Sequence, residues 1–171
     1  MAEPFTIYKL TILSMLDHAS FPLTNTQITN FFLEQEYTDY FRVQEVIRDL
    51  SEAGFVSVEN NRSATQYSLT PSGKEVLEFL HSKVSAGIES DIKAYFDQNS
   101  WNFRQENAIV SDYRRNAEGK YLVSCQYRSG STPVIDLTLA VNDREQAEAI
   151  CKNWKKSYMD VYTDIVDQLI Q

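Results

Sequence analysis

"NNRSATQYSLTPSGKEVLEFL", residues 60–80, changes its hydrophobic period within a few residues, and that change decides how the chain is divided. Asn60-Asn61-Arg62-Ser63 is turn chemistry, because asparagine and serine hydrogen-bond their own backbone and tolerate left-handed conformations. Gln66-Tyr67-Ser68-Leu69 then alternates polar and apolar side chains as a half-buried strand does. Thr70 offers its hydroxyl as a helix cap, and Pro71 falls at the first helical position, where its missing amide hydrogen costs nothing. Val76, Leu77, Leu80 and Val84 carry the apolar face of the helix that follows. Just upstream, Phe55, Val56 and Val58 supply the partner strand, so a β-hairpin joined to a capped helix is expected.

Working back from the hairpin, the period is helical. In "FTIYKLTILSMLDH" (5–18), Ile7, Leu10, Leu13 and Leu16 recur every third residue, and Ile12 and Met15 widen the stripe into that of a largely buried helix. Pro22 ends what precedes the second helix, about 25–35, whose start Thr24-Asn25-Thr26-Gln27 matches a capping box. Ile28, Phe31 and Phe32 face inward on it. A third helix, about 40–52, has Thr38 or Asp39 as its cap and an apolar face of Val43, Val46, Ile47 and Leu50. Gly54 follows as a residue free to take the left-handed conformation that closes a helix.

Working forward, "SAGIESDIKAYFDQNS" reads as a fifth helix on Ile88, Ile92, Tyr95 and Phe96, with Gln98-Asn99-Ser100 as a polar link. From Trp101 the pattern is β: Ile109 and Tyr113, then Tyr121, Val123, Cys125 and Tyr127, then Ile135, Leu137, Leu139 and Val141. Arg114, Gln126, Arg128, Asp136 and Thr138 fall on the opposite face, as in an antiparallel meander covered on one side only. The cover is the final helix, where Ala147, Cys151, Trp154, Tyr158, Val161 and Ile165 step by four and three. The expected architecture is α+β: an N-terminal three-helix, hairpin and helix arrangement over 1–84, a connecting helix and linker over 85–100, and a β-meander packed on a long C-terminal helix over 101–171. The last part is a candidate dimerisation or effector domain.

The chain of 171 residues carries 16 basic and 24 acidic side chains, a net charge of −8. The excess is uneven. Residues 1–97 hold 7 basic and 14 acidic groups, whereas 98–171 hold 9 and 10. Such a balance opposes non-specific attraction to nucleic acid or to an anionic membrane. No apolar run is long enough to span a bilayer, and "MAEPFTIYKLTIL" lacks the basic segment and cleavage site of a signal peptide, so a cytoplasmic protein without membrane contact is expected. Cys125 and Cys151 are then expected to be reduced and buried.

The order of elements over residues 5–84, and in particular "ITNFFLEQEYTDYFRVQEVIRDLSEAGFVSVE" followed by "TQYSLTPSGKEVLEFL", resembles the winged helix-turn-helix of bacterial regulators of the PadR and MarR type. Over the full length, "MAEPFTIYKLTILSMLD", "FPLTNTQI" and "VIDLTLAVNDREQAEAICKNWKKSY" make the chain similar to a bacterial family known only as a domain of unknown function and often labelled transcriptional regulators. The resemblance implies a sequence-specific DNA-binding regulator. Carried over by position, the third helix is the recognition helix, with Arg42, Gln44, Glu45 and Arg48 outward and Arg62 at the wing tip. Arg42, Gln44, Arg48 and Arg62 are the implied DNA contacts. The departure is the charge: Glu45, Asp49 and Glu52 share the helix with two arginines, and Arg48 with Glu52 is spaced for an i,i+4 pair. The alternative is a winged helix that docks a basic protein partner and never touches DNA.

Enzymatic chemistry is not expected. His18 and His81 are far apart and have no cysteine spacing beside them, so no metal site and no cofactor is expected. None of the glycine-rich phosphate loops, metal-helix motifs or nucleophile elbows occurs. Trp101, Phe103, Tyr113, Tyr121, Tyr127, Trp154, Tyr158 and Tyr162 concentrate in the C-terminal part, where a sheet–helix core is favoured over a pocket for an apolar effector. Lys152, Lys155 and Lys156 with Arg144 mark a solvated helix face. The final helix is longer than three short strands can cover, so part of its seam is left for a second copy. Cys151, Trp154, Tyr158, Val161 and Ile165 are the expected homodimer interface.

Overall fold

The computed structural model describes residues 3–19, 21–60, 64–129 and 132–171, and of Trp101, Gln105 and Asn107 the backbone alone. The chain is α+β and falls into two units, 1–100 and 101–171.

The first unit is a winged helix-turn-helix. Helices α1 (Pro4–His18), α2 (Asn25–Glu34) and α3 (Tyr40–Glu52) precede a hairpin of β2 (Val56–Asn60) and β3 (Thr65–Leu69), and α4 (Pro71–Leu80) follows it. Their caps are the ones the sequence offers. The Gln27 amide donates to Thr24 Oγ1 at 3.1 Å and the Thr24 amide to Gln27 Oε1 at 2.9 Å, a complete capping box. Asp39 accepts from the Arg42 amide, and Thr70 from the Gly73 amide. Gly54 takes φ +79°, closing α3 so that the Phe55 amide donates to the Leu50 carbonyl at 3.0 Å. Leu10, Leu13, Met15, Ile28, Phe31, Phe32, Val46 and Leu50 are all at most 2% exposed.

Two features of this unit have little sequence signal. Leu23 and Thr24 form a short strand, β1, that pairs with Tyr67 and Gln66, so the hairpin becomes a three-stranded sheet in the order β1-β3-β2. Gly73 lies so near β2 that an added Cβ would meet the Phe55 carbonyl oxygen at 2.1 Å, which explains a glycine in the first turn of a helix.

The polar link expected at Gln98-Asn99-Ser100 does not form. One helix, α5, runs from Ala86 to Ala108, and the β pattern starts at Ile109 rather than Trp101. No proline or glycine stands between Gly87 and Gly119 to stop the helix. Asn99, instead of breaking the helix, donates its side-chain amide to the Tyr95 carbonyl at 2.8 Å.

In the second unit, β4 (Ile109–Arg115), β5 (Tyr121–Ser129) and β6 (Thr132–Val141) form an antiparallel sheet in chain order. Helix α6 (Arg144–Leu169) is capped by Asp143, which accepts from the Gln146 amide at 2.8 Å. Tyr113, Val123, Cys125, Ala147 and Trp154 form the core, against which Tyr121, Tyr127 and Tyr158 pack. Tyr113 meets Tyr121 edge-on at 6.0 Å, and Tyr127 lies 4.7 Å from Tyr158. The side chain of Trp101 lies outside the described residues. Cys125 and Cys151 are reduced thiols in this same core region; burial, then the neighbouring Cys151, pushes the Cys125 thiol up to about 11. A thiol held neutral this way is a small apolar side chain, not a nucleophile.

Candidate nucleic-acid interface

The α2–α3 pair is held together by amides. The Asn25 side-chain amide donates to Gln44 Oε1 at 2.7 Å, and Gln44 Nε2 donates back to Asn25 Oδ1 at 3.0 Å and to Thr29 Oγ1 at 3.0 Å. Thr29 Oγ1 in turn donates to Asn25 Oδ1 at 3.1 Å. Both ends of the Gln44 carboxamide are therefore engaged within the domain. Expected as a base-reading side chain, Gln44 is instead the post that fixes the angle between the two helices. Its position beside the buried stripe turns it toward α2, and two polar partners already wait there.

The turn before α3 is tied down independently. Tyr8 donates its hydroxyl to the Tyr37 carbonyl at 2.9 Å, and the Tyr37 hydroxyl donates to the Asp91 carboxylate on α5. Burial, followed by the bond to Asp91 and its charge, holds the Tyr37 hydroxyl well above the ordinary tyrosine range, so it remains a donor. Glu36 adopts φ +55° in this turn.

With Val43, Val46, Ile47 and Leu50 buried, the helical period turns Phe41, Glu45, Arg48 and Glu52 outward, and all four are exposed. Phe41 is 81% exposed and Tyr40 beside it 50%, the two rings meeting edge-on at 5.6 Å. Arg48 stands at the middle of this face, and it makes no ion pair among the described residues, with Glu52 or otherwise. Arg42 is exposed but lies at the edge of the face, its guanidinium 5.8 Å from the Phe5 ring. Glu3, Pro4, Phe5, Tyr8, Thr38 and Arg42 line a shallow depression there. Asp49 points to α1, where its carboxylate is 3.7 Å from Lys9 Nζ. Of the four expected DNA contacts, the fold thus brings Arg48 to the centre of α3's outward face and Arg42 to its edge, and engages Gln44 elsewhere. Arg62 lies outside the described residues. On the hairpin, Glu59 and Asn60 are exposed, and Thr65 Oγ1 donates to Asn60 Oδ1 at 2.8 Å.

Sequence reasoning named Arg48 but missed Phe41. Its signal was present as an aromatic residue at the first turn of an amphipathic helix, off the apolar stripe.

The expected dimer residues divide in a different way. Trp154 is 4% exposed and donates its indole N–H to the Gln126 carbonyl at 3.0 Å. Cys151, Tyr158 and Val161 are partly buried against the same core, and the Cys151 carbonyl accepts from Ser111 Oγ at 3.1 Å. Trp154 is therefore a core residue of its own unit, closed to a second copy, while Cys151, Tyr158 and Val161 are partly covered by the meander. The exposed part of the stripe lies further along: Ile165 is 39%, Leu169 79% and Ile170 76% exposed.

Elsewhere, the His18 ring lies 4.9 Å from that of Phe96, and His81 Nε2 is 2.7 Å from Glu89 Oε1. Among the described residues no group of three or more His, Cys, Asp or Glu could hold a metal ion, and no helix is long and apolar enough to cross a membrane.

The model of a family described as a domain of unknown function, DUF4364, matches residues 8–169, nearly the whole chain. No curated protein shows a significant match. Among solved structures, the crystal structure of Bacillus subtilis PadR in complex with p-coumaric acid is 17% identical, over 100% of this chain and 99% of that one, with a TM-score of 0.36. A likeness that distant carries no inference about this chain.

Proposed function

We propose that this chain, which belongs to the DUF4364 family, is a transcriptional regulator that binds duplex DNA through α3 of its winged helix. One observation carries the reading: Arg48 is exposed at the centre of the outward face of a rigidly mounted second helix of a helix-turn-helix, and no ion pair among the described residues holds it. In that geometry the helix enters the major groove, and arginine donates to base edges or phosphates. Arg42, and Arg62 on the wing, are the proposed phosphate contacts, while Gln44 supports α3 from behind. No metal or cofactor enters the proposal.

Two phosphate contacts per winged helix imply a modest electrostatic contribution, with log K falling against log salt at a slope of about −1.8. A homodimer would double both affinity contacts and slope, and we propose that it forms through the exposed end of the α6 stripe at Ile165, Leu169 and Ile170. Titration of duplex fragments from upstream of the chain's own gene, at two or more low salt concentrations, tests the reading. Binding with a shallow salt dependence that weakens in Arg48→Ala with Arg62→Ala is the expected result. No binding at the lowest salt removes it.

A second reading has its own observation. Glu45 and Glu52 flank Arg48 and Phe41 is 81% exposed, so the outward face of α3 is acidic with an apolar anchor. Such a surface suits a basic protein segment. Binding to a lysine-rich partner in the absence of any DNA binding would support this reading over the first.

A further inference from the structure

Resting on the DNA reading above, we infer that the outward face of α3 reads three base pairs within a run of four through three different chemistries: Phe41 a thymine methyl, Glu45 a cytosine amino group and Arg48 a guanine. The face raises a difficulty for any simple electrostatic account. It carries one cation against two carboxylates and an aromatic ring, a poor composition for holding phosphates. It is nevertheless a composition that matches the major groove, where the base edges differ in kind: a methyl on thymine, an amino donor on cytosine, two acceptors on guanine.

Spacing supports this assignment. Phe41, Glu45 and Arg48 lie four and three residues apart on one face, so with 1.5 Å rise per residue they extend over about 10 Å of helix, about three base-pair steps of 3.4 Å, which places the three side chains within four consecutive base pairs. Recognition helices contact base edges with their N-terminal residues, and Phe41 is in the first turn of α3, which begins at Tyr40. Phe41 has no apolar cover, at 81% exposed, while the four apolar residues of the inward face are at most 4% exposed. Glu45 and Arg48 are close enough in sequence to pair with each other, yet neither is in an ion pair among the described residues, so an acceptor and a donor stand available side by side. The neighbouring Tyr40, half-exposed, braces the Phe41 ring edge-on. Glu52, one turn beyond Arg48 on the same face, lies past this run of base pairs, and its charge opposes binding to any sequence. This face thus favours selectivity over affinity.

The experiment uses the full chain and a pool of duplexes with a randomised central segment, selected for binding at low salt and sequenced. The expected enrichment places thymine, cytosine and guanine in that order within four consecutive positions. Replacing that thymine by deoxyuridine removes only the methyl and should weaken the wild-type protein about threefold to fivefold, while leaving Phe41→Ala unchanged. Glu45→Gln should shift the preferred base from cytosine to adenine, because a carboxamide pairs bidentately with adenine. Glu52→Gln should raise affinity for every sequence alike. Phe41, Glu45 and Glu52 are all exposed, so circular dichroism of the variants is expected to match wild type. Enrichment of a motif that ignores the methyl and is unmoved by Glu45→Gln overturns the three-residue code while leaving DNA binding standing. Failure to enrich any duplex overturns the code and the DNA reading together, and points to the basic protein partner.

Discussion

Helices α3 and α6 are both amphipathic, and their fates differ because their partners differ in length. In α3, the inward stripe of Val43, Val46, Ile47 and Leu50 is at most 4% exposed throughout, with Phe41 and Tyr40 standing off it. In α6, twenty-six residues carry a longer stripe, but only Ala147 and Trp154 are fully buried. Tyr158 and Val161 are partly covered, and beyond them Ile165 and Leu169 are open to solvent. A helix enclosed by α1, α2 and the hairpin buries whatever its stripe offers. A helix laid on a three-stranded sheet buries only what the strands can reach, since a strand of seven to ten residues at about 3.3 Å each crosses it obliquely. An apolar stripe therefore marks a capacity to be buried, and the neighbouring elements decide how much of it is used.

The comparison breaks most sharply at Leu50, 2% exposed on α3. Leu50→Ala should destabilise the chain by about 2–5 kcal/mol, the range for a buried leucine that leaves a cavity, measured by chemical denaturation. A loss below about 1 kcal/mol would mean that α3 is not packed as described.

Gln44 offers a polar counterpart on the same helix. Gln44→Ala leaves Asn25 and Thr29 short of partners in a part-buried site and should cost about 1–3 kcal/mol. Because Gln44 supports α3 without facing outward, the variant should reduce DNA affinity only as far as it loosens the helix, with no change in base preference. A changed base preference would return Gln44 to the reading face.

The smallest effect on folding belongs to the end of α6. Leu169→Lys is expected to change unfolding stability by no more than about 0.5 kcal/mol, as an exposed substitution does. Light scattering is the measurement that matters there. A homodimer has twice the chain's 19.7 kDa, and Ile165→Lys with Leu169→Lys should return it to the single-chain mass. A single-chain mass for the wild type at tens of micromolar would remove the proposed seam.

Period and capping made most of the winged helix legible beforehand. Residues that hydrogen-bond locally, Thr24 with Gln27, Asp39 with the Arg42 amide and Thr70 with the Gly73 amide, place helix starts because both partners lie within one turn of each other. Alternation at Tyr121, Val123, Cys125 and Tyr127 likewise placed a strand and its inward face. What sequence could not determine was long-range. The pairing of β1 with β3 joins Leu23 to Tyr67, the Tyr37–Asp91 bond spans 54 positions, and Asn25 finds Gln44 across 19. The role of Gln44 followed from that last contact alone, for an exposed and an engaged glutamine look the same in a string of letters. The continuation of α5 through Ser100 was decided by the absence of a stop signal, which a polar stretch resembles but does not supply. Local hydrogen bonding and side-chain period are properties of neighbouring residues and can be read along the chain. Which surface a side chain meets depends on distant residues brought close, and only the tertiary structure shows that.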